Sequence, residues 1–396
     1  MKILHVIPVF NPPELYGGSQ QIVWQVSKEL IKKGHEVHIY TSDVKRSDLS
    51  KRTEKTKEKI EGINIVRFQN ISSFLAEKLR FIITPDMKQA LERSVHNFDI
   101  IHVHEARSYQ HICVYQVLKK RNIPYVIQVH GSLRDNKSIA RRVYDLIFNK
   151  EILHSASNVI AISPAEIEQY KSFSVNEDKI ALIPNGIELS QYRSLPQKGE
   201  FYKKFKIEKN KKIFLYIGRI HRSKGIDFLI KGYKSFLSQS QPQDTILVIA
   251  GLDDGYLKKA ISLSKSLDIS EKILFPGYLT ETEKIEAYVD SSMIFCLEQN
   301  NVYLLVPLEA AVCKSPVVVA DTNYISNVVE VGEFGYSVKY GDNIQIKNIM
   351  MDIYDDKKLI ELGSNGRSFL FKNYGWDSII GLLEKIYKKS IEDVSK

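Results

Sequence analysis

Two long cations, Arg219 and Lys224, share one short polar loop within the stretch IFLYIGRIHRSKGIDF at residues 213–228. The apolar run before it, residues 213–217, is closed by Gly218 and reads as a buried strand of a parallel sheet. After Gly225, the residues Ile226, Leu229, Ile230 and Tyr233 recur at helical spacing, so the loop feeds a helix start. At such a junction free backbone N–H groups and the positive end of the helix dipole point the same way, and two cations add to them. The chemistry that fits is the binding of an anion such as a phosphate. A solvated basic loop is the plain alternative.

A second stretch, residues 293–321, holds Glu298 and Asn301 in a loop after another strand, then a short helix starting near Pro307 that carries Glu309. Taken alone, Glu309 does no more than complement the helix dipole. Two further apolar strands, DIIHVH at 99–104 and YVIQVH at 125–130, end in His104 and His130. Ligands of open α/β sheets sit beyond the carboxyl ends of the strands, which is where these imidazoles belong. Gly17 and Gly18 lie in the first strand-to-helix connection, where a missing side chain lets a ligand approach the backbone or simply permits a tight turn. No G-x-G-x-x-G occurs, and Lys224 precedes Gly225, so the dinucleotide and P-loop patterns are absent. Asp253 and Asp254 stand in a Gly-flanked segment and read as a turn before they read as a metal pair.

The elements that must hold these residues alternate along the whole chain. Strands are expected at 3–9, 37–40, 63–68, 99–104, 125–130 and 159–162, and again at 213–217, 245–250, 272–275, 293–297 and 316–320, with helices between them. A length of 396 residues favours two domains, and the polar stretch after the IPNGI turn at 183–187 puts a boundary near residue 195. Residues 44–61, almost without apolar side chains, read as an exposed loop. Residues 73–83 are more apolar than a surface helix, and Lys78 and Arg80 edge them. That segment fits a helix packed on its sheet or one lying in a membrane interface. Arg134, Lys137, Arg141 and Arg142 make a further basic face. The last helix, 376–389, puts Trp376, Ile379, Ile380, Leu383 and Tyr387 on one side.

Apolar content of 43% and charged content of 26% belong to a globular chain, and 56 basic against 47 acidic residues leave +9, which favours anionic partners. Nucleic acid is disfavoured because the basic residues lack interleaved aromatics. Three scattered cysteines, Cys113, Cys296 and Cys313, form neither a disulfide framework nor a zinc pattern. The N-terminal apolar run meets Pro12 and Pro13 too early for a signal peptide, so a cytoplasmic protein, or one peripheral on the inner face of a membrane, is expected.

In order and spacing, YGGSQQIVWQVSKELIKKGHEV, VIQVHGS, IPNGIE, YIGRIHRSKG, ILFPGYL and VPLEAAVCKSPVVVAD resemble the family-4 retaining glycosyltransferases of GT-B fold. The resemblance implies an α/β chain of two doubly wound Rossmann-like domains facing each other across a cleft. The domains would be 1–195 on the acceptor side and 196–375 on the nucleotide-sugar side, with a helix at 376–396 packing back on the first. It implies sugar transfer from a nucleotide-diphosphate-sugar to a glycan or lipid-linked acceptor, without a metal or resident cofactor. Arg219 and Lys224 would hold the diphosphate, and Glu309 the ribose. Leu305, Val306 and the neighbouring N–H groups would face the phosphates, and Gly277 and Tyr278 the base. His130 would reach the transferred sugar, Gly17 and Gly18 the donor phosphates, and His104 the acceptor side. One departure stands out: Asn301 occupies the first position of the family's Glu-x7-Glu, with Glu298 three residues earlier as a substitute, and Leu304 replaces a common glycine. This departure raises a catalytically weak or inactive nucleotide-sugar-binding partner subunit as the alternative, and an epimerase of the same fold is a further one.

Overall fold

Apolar strands alternating with helical segments have one stable arrangement in each half of the chain, a parallel sheet covered by helices. A computed structural model describes residues 1–12, 18–45, 48–119, 121–133, 138–240, 244–298 and 305–395. It divides into two compact units, Met1–Gly186 together with Trp376–Lys396, and Ile187–Gly375. The division thus falls earlier in sequence than the polar stretch near residue 195, and the last helix, Trp376–Ser395, belongs to the first unit.

The first unit contains β1 (Lys2–Val6), β2 (Glu36–Ser42), β3 (Val44–Lys45), β4 (Asp48–Arg52), β5 (Lys57–Ile60), β6 (Ile63–Phe68), β7 (Ile100–His104), β8 (Tyr125–Gln128), β9 (Asn158–Ala161) and β10 (Ile180–Leu182). Its sheet runs β10-β9-β8-β7-β1-β2-β6-β5, and every pair is parallel except β5 with β6. The central strands are buried on both faces, which is why they read as continuous apolar runs. Leu4, Val6, Ile101 and Val103 pack on one side. Ile3 and Ile100 pack on the other, against Val23, Val26 and Leu30 of the helix Gly18–Lys32 and against Trp376, Ile379, Ile380 and Leu383 of the last helix.

Residues 44–61 are a correction to the sequence reading. They are not a bare loop but the antiparallel pair β3–β4 followed by the edge strand β5. Their polarity belongs to an edge: charged side chains on an outermost strand block pairing with another chain. The Glu58 carboxylate also takes an ion pair from the buried Arg67 of β6. Residues 73–83 are mixed. The helix Ser73–Leu79, capped by the Ser72 hydroxyl, buries Ala76 and leaves Phe74 and Leu79 exposed, while Ile82 packs with Val9 and Val44.

The second unit contains β11 (Lys212–Ile217), β12 (Thr245–Ala250), β13 (Ile273–Gly277), β14 (Ser291–Cys296), β15 (Val317–Ala320) and β16 (Gly335–Val338). They form an all-parallel sheet in the order β13-β12-β11-β14-β15-β16. The chain winds outward in one direction from β11 to β13, then returns to β14 and winds the other way. The reversal between β11 and β14 opens a crevice at their carboxyl ends, the place where such sheets bind ligands.

Candidate functional site

The loop after β11 and the loop after β14 flank this crevice, and the structure brings their charged residues together. A short 3₁₀ turn, Arg222–Lys224, started by the His221 ring accepting the Ser223 N–H, leads through Gly225 into the helix Ile226–Ser240. Gly225 has φ +70°, and a Cβ there would lie 2.5 Å from the Leu297 carbonyl oxygen at the end of β14. The glycine therefore lets the helix start close against the neighbouring strand. Lys224, brought in by this approach, makes an ion pair with Glu298, and both side chains are largely buried. Burial, and then the charge of Arg219, push the Lys224 ammonium below the ordinary lysine range. The Glu298 contact favours the charged form in return. Arg219 is exposed and donates to Asp254 Oδ2 at 2.6 Å.

The floor beside this loop is bare backbone. Gly218 N donates to the Ala250 carbonyl and Gly251 N to the Gly277 carbonyl, so three glycines line up across the ends of β11, β12 and β13. A Cβ on Gly251 would sit 1.8 Å from the Gly218 oxygen. Gly277 has φ +82° with open space around it, and Tyr278 beside it is 62% exposed. Asp253 behaves as the turn residue that its setting predicts: its Oδ1 accepts the N–H groups of Gly255, Tyr256 and Leu257.

Glu309 lies in the helix Leu305–Val312, which begins two residues before Pro307 rather than at it. Proline is tolerated there because first-turn N–H groups have no partner within the helix. The helix puts Glu309 in its second turn, so the carboxylate is not a dipole complement at the first turn. Tyr288 and Lys284 hold it instead: Glu309 Oε2 accepts the Tyr288 hydroxyl at 3.0 Å and lies 3.2 Å from Lys284 Nζ. Both partners come from the helix Glu281–Asp290. Burial opposes charge on Lys284, yet Glu309 and Glu281 outweigh it and raise its pKa. Burial, reinforced by Glu309, raises Tyr288 far above its usual value, so its hydroxyl stays a donor. Burial also pushes the Cys296 thiol up to about 12, while Lys224 lowers it and Glu309 raises it.

Leu305 is 43% exposed at the start of its helix, and Val306 is half-buried against the core. Gly17, Asn301, Leu304, Arg134 and Lys137 lie outside the described residues. Lys284, Tyr288 and Gly251 escaped the sequence reading, as did Asn323, whose side-chain amide holds the Glu298 carbonyl. The one signal for the first pair was their i, i+4 spacing, which any surface helix shares.

In the first unit, left-handed residues gather after β7 and β8: Glu105 (φ +68°), Arg107 (+56°) and His130 (+50°) beside Gly131 (+80°). Non-glycine residues in this region carry strain that the surroundings must hold. Here the fully buried Glu166 does so, accepting the Gly131 and Ile162 N–H groups. Arg107 forks onto Asp145 at 2.8 and 2.9 Å and donates to the Ser132 carbonyl at 2.7 Å. His104 and His130 are joined, Nδ1 to Nε2, at 3.0 Å. Gly18 starts its helix with φ +64°, and the adjacent Ser19 hydroxyl donates to Glu105 at 2.6 Å.

Comparison with known proteins bears on the family and the fold. The Glycosyltransferase Family 4 model matches residues 16–191, and the Glycosyl transferases group 1 model matches residues 197–389. An uncharacterised glycosyltransferase of Methanocaldococcus jannaschii is 25% identical, covering 96% of each chain. The N-acetyl-alpha-D-glucosaminyl L-malate synthase of Bacillus anthracis is 24% identical, covering 95% of each. The structure of Anabaena HepE in complex with UDP superposes with a TM-score of 0.74 at 18% identity, covering 97% of this chain and 99% of that one. Two Rossmann-like units, the Arg219–Lys224 loop at the switch point and the match of both models make this chain a family-4 glycosyltransferase of GT-B fold.

Proposed function

We propose that the protein is a retaining, metal-independent hexosyltransferase that uses a nucleotide-diphosphate-sugar, and that the crevice between β11 and β14 is its donor site. The observation that carries this reading is the pairing of Lys224 and Glu298 beside the held carboxylate of Glu309. Lys224 and Arg219 meet the diphosphate and neutralise the charge that grows on it as the bond to the sugar carbon breaks. The acceptor hydroxyl bonds to that carbon on the same face and passes its proton to the departing phosphate oxygen. Glu309, its Oε2 occupied by Tyr288 and Lys284, offers Oε1 to the ribose hydroxyls. Uridine is the favoured base, since the neighbour HepE was solved with UDP and with UDP-glucose. In the first unit, His130 and Gly18 remain assigned to ligand contact by the family resemblance.

The acceptor is read as a glycan or lipid-linked molecule, with the protein peripheral on an anionic membrane. Among the described residues no helix is long and apolar enough to cross a membrane. Ile139, Val143, Leu146 and Ile147 nevertheless form an exposed stripe at helical spacing, with Arg141 and Arg142 beside it. A basic-edged apolar face suits a headgroup layer.

The test is turnover with a panel of UDP, GDP and ADP sugars in chelator-treated buffer, in wild type and in Arg219→Ala and Lys224→Ala. Transfer by the wild type and its loss by at least about a hundredfold in either variant is expected. Wild-type turnover in both variants would sink the diphosphate assignment.

A further inference from the structure

The first unit buries a cluster of imidazoles that donor chemistry does not account for. His5 of β1 and His102 of β7 are register partners, and His104 lies two residues on along the same face of β7. One ring nitrogen from each lies within 4.8 Å of the others, a grouping that resembles a metal site. The distances decide against one. His5 Nδ1 and His104 Nε2 are 2.8 Å apart, whereas two nitrogens on a tetrahedral zinc, each about 2.0–2.1 Å from it, stand about 3.3 Å apart. That gap holds a proton. His102 is engaged separately, through Nδ1, with the Tyr387 hydroxyl at 2.7 Å.

From His5 the bonds continue outward. His104 Nε2 meets His5 Nδ1, and His104 Nδ1 meets His130 Nε2 at 3.0 Å. Burial holds all three below the ordinary histidine range, so each is neutral near pH 7 and carries one N–H. A neutral His104 can donate at one end only, so the chain has two ordered states. Either every ring carries its proton on Nδ1, or every ring carries it on Nε2.

The inner end chooses between them. His5 is fully buried, and its Nε2 has no hydrogen-bond partner among the described residues. In the Nε2–H state that atom is a buried donor with no acceptor among the described residues. In the Nδ1–H state it is a bare lone pair, which surrounding C–H groups can approach as weak donors. Among backbone groups, a buried N–H left without a partner is rarer than a C=O left so, and the same cost applies to a ring N–H. We infer that His5 and His104 are positioning residues that fix His130 as the Nδ1–H tautomer. His130 then presents a hydrogen-bond donor, and the ligand group it meets must be an acceptor, such as a hydroxyl or carbonyl oxygen of the sugar.

The specificity part rests on the reading of His130 as a ligand contact; the tautomer does not. The test is nitrogen-15 spectroscopy of the ligand-free, histidine-labelled full chain near pH 7, with His130 assigned through His130→Gln. Expected are proton-bearing Nδ1 and bare Nε2 signals for His130, His104 and His5. An Nε2–H or doubly protonated His130 overturns the inference, whatever the activity assays give. His5→Asn, whose amide nitrogen stands in for Nδ1–H, should keep His130 in that single form. Loss of the Nδ1–H form of His130 in a folded His5→Asn also overturns it. Should that variant fail to fold, the wild-type spectrum alone decides.

Discussion

Lys284 Nζ stands 3.2 Å from Glu309 Oε2, and the same oxygen takes the Tyr288 hydroxyl. One oxygen of the carboxylate is thereby occupied, and the side chain is fixed before any ligand arrives. A charged hydrogen bond in such a partly buried place contributes about 1.5–3 kcal/mol. Lys284→Met is therefore expected to weaken binding of UDP by about tenfold or more, with Lys284→Arg recovering much of it. Calorimetric titration checks this. Equal affinity in wild type and Lys284→Met would show that Glu309 holds its place unaided or does not touch the nucleotide.

Glu298 occupies the ammonium of Lys224, which is proposed to meet the diphosphate. Removing its charge separates two roles. Glu298→Gln should bind a free nucleoside diphosphate more tightly, because Lys224 no longer has to leave a carboxylate. Turnover of the full sugar donor should fall if Glu298 also steadies the sugar in place of the missing family glutamate. Weaker binding of the bare diphosphate by Glu298→Gln would rule out competition for Lys224.

The glycines at the strand ends are intolerant for a steric reason. An added Cβ at Gly251 meets backbone oxygen at 1.8 Å, and one at Gly225 meets the Leu297 oxygen at 2.5 Å in a left-handed conformation. Backbone atoms in a packed sheet cannot swing aside as a long side chain can. Gly251→Ala and Gly225→Ala are each expected to lower stability by about 1–3 kcal/mol or more, read from denaturant midpoints. Gly255→Ala is the contrast: its Cβ meets nothing within 4 Å, leaving only the φ of +83° to oppose it.

Acid should destabilise the first unit well before ordinary carboxylates titrate. Burial lowers His5 and His130 to about 3 and His111 to about 4, and it lowers His102 and His104 as well, from an ordinary value of 6.5. Below that value the unfolded chain binds protons that the folded chain refuses, so stability rises with pH across the window. The contribution is complete above about 6.5 and is lost as pH falls towards 3–4. A melting temperature that falls steadily between about pH 6.5 and 5 is expected. A flat profile there would mean that these imidazoles accept protons inside the fold.

The Arg219–Lys224 loop was legible because strand, polar loop and helix start are written in consecutive residues. The edge strand β5 was not, since a strand of alternating charges has the composition of a loop until β6 supplies its pairing. Glu309 was legible as a residue but not as a site: alone it reads as a helix-end charge, and its partners come from a different helix. Gly251 carried no local signal, because what forbids a side chain there is the Gly218 carbonyl on the neighbouring strand.

The sequence by itself determined the alternation of strands and helices, the paired α/β units and the cations at the switch point, because periodicity and short-range order are properties of neighbouring residues. Tertiary structure alone decided which charges pair: Lys224 with Glu298, Lys284 with Glu309, and His5 through His104 to His130. Those partners are brought within about 3 Å by strand order and helix packing. Hydrogen bonds and buried charges act only at that range, so their meaning is set by the fold.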